Sequence, residues 1–179
     1  MPKLELQPHS KEPPLIASVR DYWKRKRNDR ELPDRKAIKP TEIKEWLPYI
    51  LLADVIDGGK DFRYRLVGSR LHTYFPMMPT GKTIREAIAP FGDETLQQTL
   101  EVYGRVVKQR SPLRIKGDGA WYNQPPKIFE AILTPLSDDG VTVNMIFGAF
   151  DFQWNFEGMT ASDTLIEDQT MSAASEILR

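Results

Sequence analysis

A chain of 179 residues with 40% hydrophobic and 10% aromatic content suits one domain with short extensions and is enough for a real core. Its 25 Lys and Arg balance 25 Asp and Glu, so no bulk field draws the molecule to nucleic acid or an anionic membrane. There is no cysteine, which excludes disulfides, thiolate catalysis, iron–sulfur clusters and thiolate zinc sites.

Residues 1–13 are polar and Pro-containing and read as a flexible N-terminus. Met1 to Lys11 lacks the apolar run of a signal peptide, and no stretch approaches the roughly 18 apolar residues that cross a bilayer. The expectation is a soluble, cytoplasmic protein. From Pro14 a helix is signalled, with Leu15, Ile16, Val19, Tyr22 and Trp23 on one arc of the helical wheel. Pro14 suits the first turn, where its missing N–H has no partner to lose. The helix should fade near Asn28–Asp29, and a short second helix is predicted from Thr41, as cap, to Trp46, ended by Pro48.

The period then changes. ILLADVID, from Ile50 to Asp57, reads as a strand, closed by a Gly58-Gly59 hairpin turn. FRYRLVG follows, with Phe62, Tyr64 and Leu66 on one face and Arg63, Arg65 and Val67 on the other. Ser69 to Met78 reads as short helical turns broken by Pro76 and Pro79. Asp93 is expected to cap a longer helix whose row Leu96, Leu100, Tyr103 and Val107 keeps the 3.6 period until Ser111-Pro112. Three strands close the core: Leu113 to Tyr122, Lys127 to Leu136 and Val141 to Phe152, with Asp139-Gly140 turning between the last two. The last is apolar on nearly every residue, which predicts cover on both faces. The resulting division is a helical segment over 14–48, a core over 49–152 and a tail over 153–179 that has a weakly helical pattern.

A β-hairpin, a helical excursion and a three-strand meander in that order are the layout of the PAS fold. The residues sharpen the match: Tyr22-Trp23, Leu32-Pro33, Trp46-Leu47-Pro48 running into LLADV, YRLVGS from Tyr64, TGK from Thr80, and Pro135-Leu136-Ser137 with Gly140. From about Leu15 to Phe152 the chain resembles a bacterial family of small stand-alone PAS proteins. The resemblance implies an α/β chain of the α+β type: a PAS-like five-stranded antiparallel sheet, helices on one face and an N-terminal amphipathic helix. It also implies a sensor, regulator or adaptor, with no general catalytic residues to carry over. Fold alone does not decide function.

PTGKT, from Pro79 to Thr83, resembles the end of a phosphate-binding loop, but Pro76 stands where that loop needs a glycine amide, and a turn is the better reading. His9 and His72 are the two histidines, too few for a multi-ligand metal site. His72, among Leu71, Tyr74 and Phe75, has a haem-ligand reading and a plainer one as a half-buried hydrogen-bonding residue. Flavin adducts need a cysteine; a flavin held without a covalent bond stays open, with nothing selecting it, and no cofactor is required. Ser69 and His72 are close in sequence but lack a nucleophile elbow, and Asp138-Asp139 reads as a solvated turn.

Aromatic and Met residues suggest a pocket between one sheet face and the segment Leu71–Tyr103. Its candidate ligand-binding residues are Tyr64, Leu66, His72, Tyr74, Phe75, Met78, Leu100, Tyr103, Trp121 and Phe129. Leu15, Val19, Tyr22 and Trp23 are the candidate interface, either over the opposite sheet face or against the same helix of a second chain. The expected function is a sensory module that binds a small molecule or a protein partner and relays a conformational signal without catalysis. With no output domain attached, the signal is expected to pass through a partner protein, and a homodimer is expected. One rival is a nucleic-acid-binding regulator using the segment from Arg20 to Lys39, where nine basic residues face four acids; the plainer reading is a solvated helix face. The other is a small isomerase or hydrolase using His72 or Glu130.

Overall fold

The structure, a computed structural model, describes residues 4–5, 12–75, 77–118 and 127–154. One antiparallel sheet organises them. Its strands are β1 (Leu4–Glu5), β2 (Ile50–Ile56), β3 (Asp61–Val67), β4 (Leu113–Asp118), β5 (Lys127–Leu136) and β6 (Met145–Trp154), in the order β1-β4-β5-β6-β2-β3. Five of these form the sheet proper, and the two-residue β1 pairs with β4 through Leu4↔Gly117 and Glu5↔Lys116. The helices are α1 (Pro14–Arg27), α2 (Ser69–His72), α3 (Ile84–Ile88) and α4 (Asp93–Gln109). Helices α2 to α4 roof one face of the sheet, and α1 lies on the other, over β5 and β6.

Helix α1 forms where the spacing predicts it. Pro14 opens it, and Lys24, Arg25, Lys26 and Arg27 in its last turn complement the negative end of the dipole. Ile16, Val19, Tyr22 and Trp23 are buried against the sheet together with Leu32, Ile38 and Ile43 of the following loop and Phe147 and Ala149 of β6. The opposite face packs Ile146 of β6 against the roof, so β6 is covered on both sides, as its unbroken apolar run implies.

The residues that carry the family resemblance converge into latches. Trp23 Nε1 donates to the Pro135 carbonyl at 2.8 Å, and Ser137 N donates to the Pro33 carbonyl at 3.0 Å. Trp46 meets the Tyr22 ring edge-on at 5.8 Å. Gly68, at the end of YRLVGS, lies so close to the Leu47 and Pro48 carbonyls that a Cβ would sit 2.3 Å from each. Gly81 of the TGK turn donates to the Tyr64 carbonyl at 2.7 Å, and Tyr64 N donates to the Lys82 carbonyl at 2.9 Å. These marks join the helical entry segment, the hairpin and the meander to one another.

Four expectations need correction. Residues 41–46 form successive turns, not a helix, followed by a 3-10 turn at Leu47–Tyr49; Glu42 N donates to the Lys39 carbonyl, Ile43 N to that of Pro40 and Trp46 N to that of Ile43, the three-residue spacing of turns. Gly92, at φ 97°, is the cap of α4, and Asp93 is its first helical residue, placed with Glu94 at the positive end of the dipole. Helix α3 was not anticipated. Its signature is a capping box: Thr83 accepts from Glu86 N, and the Glu86 side chain accepts from Thr83 N. The last strand begins at Met145, because Asp139 accepts from Val141 N and Thr142 N and holds that stretch in a turn. Those bonds also hold the Asp139 carboxyl well below the usual carboxylate range, the Thr142 amide contributing most.

A fifth correction concerns β3. Leu52 pairs with Leu66 but Ala53 pairs with Tyr64, so Arg65 is an extra residue, a β-bulge. Past it the alternation reverses: Val67 turns to the roofed face beside Phe62 and Tyr64, and Leu66 turns to the α1 face. Arg65 points out and pairs with Asp54, its Nε 2.9 Å from both carboxylate oxygens.

Candidate functional site

Beneath the roof the sheet is not filled. A cavity of about 70 Å³ lies between α2 to α4 and the roofed face. Helix α4 contributes Thr95, Gln98, Thr99, Val102 and Tyr103, positions that one helical face brings together by the 3.6 period. Strands β4, β5 and β6 contribute Ile115, Gly117, Phe129, Phe150 and Phe152, all on one side of the pleat. Leu51 and Tyr64 close it from the hairpin, and Leu71, Tyr74, Phe75 and Ile88 from the roof. Gly117 keeps part of this space open, because a Cβ there would lie 2.6 Å from the Phe129 ring.

The lining is aromatic and uncharged. Tyr74 stacks on Phe152 with centroids 3.7 Å apart, and Tyr64 meets Phe75 edge-on at 5.8 Å. Phe129, Phe150 and Phe152 form a further cluster with centroids 5.8 to 6.3 Å apart. The Tyr64 and Tyr103 hydroxyls are paired in the interior, and burial pushes both phenols well above their ordinary range, so both are neutral at physiological pH. Thr99 Oγ1 donates to the Thr95 carbonyl at 2.7 Å. Gln98 Nε2 lies 3.4 Å from Glu94 Oε1, and Gln98 Oε1 is buried with no hydrogen-bond partner among the described residues.

Of the residues expected to bind ligand, Tyr64, Tyr74, Phe75, Tyr103 and Phe129 come together on this cavity. Leu66 lies on the opposite sheet face because of the bulge at Arg65. Met78 is 59% exposed, carried outward by the loop after α2. Leu100 is buried in the roofed core, and His72 is half-buried in α2, but neither lines the cavity. Trp121 lies outside the described residues. The lining residues Thr95, Gln98, Thr99, Phe150 and Phe152 were missed. The first three sit one helical step from the apolar row Leu96, Leu100 and Tyr103, and polarity disguised them as surface; the alternation of Ile146, Gly148, Phe150 and Phe152 was the signal for β6.

The residues expected at an interface are placed differently. Val19, Tyr22 and Trp23 are sealed against their own sheet, and Leu15 is half-buried beside them. The Tyr22 hydroxyl donates to Glu42 Oε2 at 2.7 Å and accepts from Lys39 N at 3.0 Å; burial, reinforced by Glu42, pushes its pKa up to about 12. Glu130, named with His72 as a candidate acid–base residue, is also away from the cavity. It lies on the α1 face, 3% exposed, and accepts from Arg114 Nε at 3.0 Å, with Lys116 Nζ at 4.0 Å. Asp151 stands directly across the ladder from Glu130, and burial, followed by the Glu130 charge, raises its pKa.

Neither a haem macrocycle nor an isoalloxazine ring system fits a space of about 70 Å³, and His72 is not on its wall. Among the described residues no group of three His, Asp or Glu side chains is gathered to hold a metal ion, and no helix is long and apolar enough to cross a membrane.

The architecture is that of an α+β module in which a curved antiparallel sheet, roofed by short helices, cups an apolar cavity. A family model described as PAS domain matches residues 11–151, and the chain belongs to that PAS-domain family. No curated protein and no solved structure matches it.

Proposed function

We propose that the chain is a sensory or regulatory module that holds a small molecule in the cavity under α4 and relays its presence to a protein partner without catalysis. The observation that carries this reading is the aromatic cavity itself, uncharged in its lining and set in the roofed core. The two faces of the sheet supply the route of the signal. Ile115, Gly117, Phe129, Phe150 and Phe152 face the cavity, and they alternate with Arg114, Lys116, Glu130, Ala149 and Asp151 on the α1 side. A ligand that favours one curvature of β4 to β6 therefore also favours one seating of α1, whose outer face carries the exposed residues Asp21, Lys24 and Arg25. The partner, and a second copy in a homodimer, belong to this proposal as the receivers of that change.

The test is a thermal-shift screen of small apolar metabolites against the wild-type chain and a Val102→Phe variant that fills the cavity. Ligands should raise the Tm of the wild type and leave the filled variant unmoved. If no compound shifts the wild type, or if shifts persist in the filled variant, the cavity is not the sensing site.

A further inference from the structure

The neutrality of the whole chain conceals a separation of charge. Residues 14–48 hold ten Lys and Arg against six Asp and Glu, a net of +4. Residues 155–179 hold Glu157, Asp163, Glu167, Asp168 and Glu176 against Arg179 alone, a net of −4. The rest of the chain balances, with 14 of each sign. A surface charged only for solubility intersperses its signs, whereas here the surplus of one segment equals the deficit of another.

The fold gathers the positive surplus on one surface. Arg25 Cζ and Lys26 Nζ lie 5.8 and 5.2 Å from the Tyr22 ring centroid, and the Tyr22 hydroxyl accepts from Lys39 N, which holds the loop after α1 against its last turn. Four of the six carboxylates in this segment are already taken: Asp21 by Arg20, Asp34 by Arg30, Glu42 by Lys26 and Glu31 by Arg110. Lys24, Arg25, Arg27, Lys36, Lys39 and Lys44 are exposed and form no ion pair among the described residues. Compensation of the α1 dipole accounts for the first three, in its last turn, but not for the three lysines of the loop.

The acidic segment is tethered within reach of this surface. Strand β6 ends at Trp154, and Ile146, the ladder partner of Pro135, lies eight residues back, about 26 Å at roughly 3.3 Å per residue. Trp23 bonds the Pro135 carbonyl, so a similar distance separates the root of the tail from the last turn of α1. Asp168 is fourteen residues beyond Trp154, a reach of up to about 46 Å. A tethered segment acts at an effective concentration of about millimolar, so exposed pairs that are weak singly hold it in place. We infer that the acidic segment 157–176 docks on the basic surface of α1 and the 36–44 loop of its own chain. The external partner this surface fits is then a protein with an acidic contact face, which binds by displacing the tail. Nothing in this docking requires the cavity to hold a ligand.

The chain has no cysteine, so a nitroxide on Ser172→Cys marks the tail at a single site. In about 0.05 M salt the label should broaden away the amide NMR signals of Lys24 to Arg27 and Lys36 to Lys44, and spare those of α3 on the other face of the sheet; in about 1 M salt, where the screening length falls to about 3 Å, the lost signals should return. Glu167→Lys with Asp168→Lys should abolish the broadening at low salt. Adding Lys24→Glu and Arg25→Glu to that pair should bring it back, which a loosened fold could not do. Broadening that is absent at low salt would overturn the assignment and leave the surface to a separate anionic partner. Broadening indifferent to salt and to the tail reversal, or a charge swap that restores nothing, would overturn it as well. So would broadening seen only when a spin-labelled chain is mixed with an isotope-labelled unmodified one, which gives the surface to the tail of a second copy.

Discussion

Trp23 shows how one side chain joins two distant parts of the chain. Its ring fills the space between α1 and the sheet, and its indole N–H satisfies the carbonyl of Pro135, 112 residues away. Trp23→Ala should cost about 3–5 kcal/mol, read as a lower denaturant midpoint at unchanged m, because it leaves both a void and an unpaired carbonyl. The Glu130 carboxylate, 3% exposed, is paired with Arg114. Arg114→Ala strands a buried charge and should cost about 3–5 kcal/mol, and adding Glu130→Gln to it should recover part of that loss in a double-mutant cycle. Asp151 carries the opposite electrostatic sign. Its pKa is raised in the folded chain, so its contribution to stability is present below the unfolded value and is lost as pH rises through the folded value. Asp151→Asn should therefore raise the Tm at pH 7, with the gain disappearing in strongly acidic solution; a variant melting below wild type at pH 7 would contradict this account.

Among the elements, β3 shows how a single inserted residue reassigns a face. The alternation read from Phe62, Tyr64 and Leu66 is right up to Tyr64 and inverted beyond it, because the bulge at Arg65 adds one residue to the register. No composition marks that position: Arg65 resembles the neighbouring Arg63, and only the pairing with Asp54 and the partner strand distinguishes it. The junction after β3 is equally exacting. Gly68 has an ordinary negative φ of −64°, so its glycine is required by close approach rather than by backbone strain. Gly68→Ala should destabilise the chain severely, since the obstructing atoms are backbone carbonyls that have no room to move, and loss of soluble folded protein would be the readout. Gly117→Ala meets only the outer edge of the Phe129 ring, a side chain that can turn. It should leave the Tm nearly unchanged while altering ligand affinity; a large loss of stability would mean that Phe129 is more rigidly held.

For the whole molecule, the two cores divided by one sheet are the feature on which the proposed relay rests. A ligand at a hundred times its Kd stabilises the state that binds it by about 2.7 kcal/mol. If the sheet couples the cavity to α1, amide exchange along α1 should slow on ligand binding although no residue of α1 lines the cavity. Protection confined to α2, α3 and α4 would show that the sheet does not transmit.

Periodicity and turn chemistry, which act over a few residues, were enough to determine α1, α4, the β2–β3 hairpin and the two-sided cover of β6, and the joint spacing of six short motifs was enough for the PAS family. Five of the ten expected ligand-binding residues, Tyr64, Tyr74, Phe75, Tyr103 and Phe129, were legible as aromatics in segments that had to face one another. Tertiary structure alone decided the rest. The register of β3, the turns that replaced a helix at 41–46, and the burial of Gln98 and Thr95 beside a cavity depend on which backbone and side-chain atoms meet across the sheet. A local pattern reports which side of an element is apolar, whereas a cavity exists only where two such sides fail to fill the space between them.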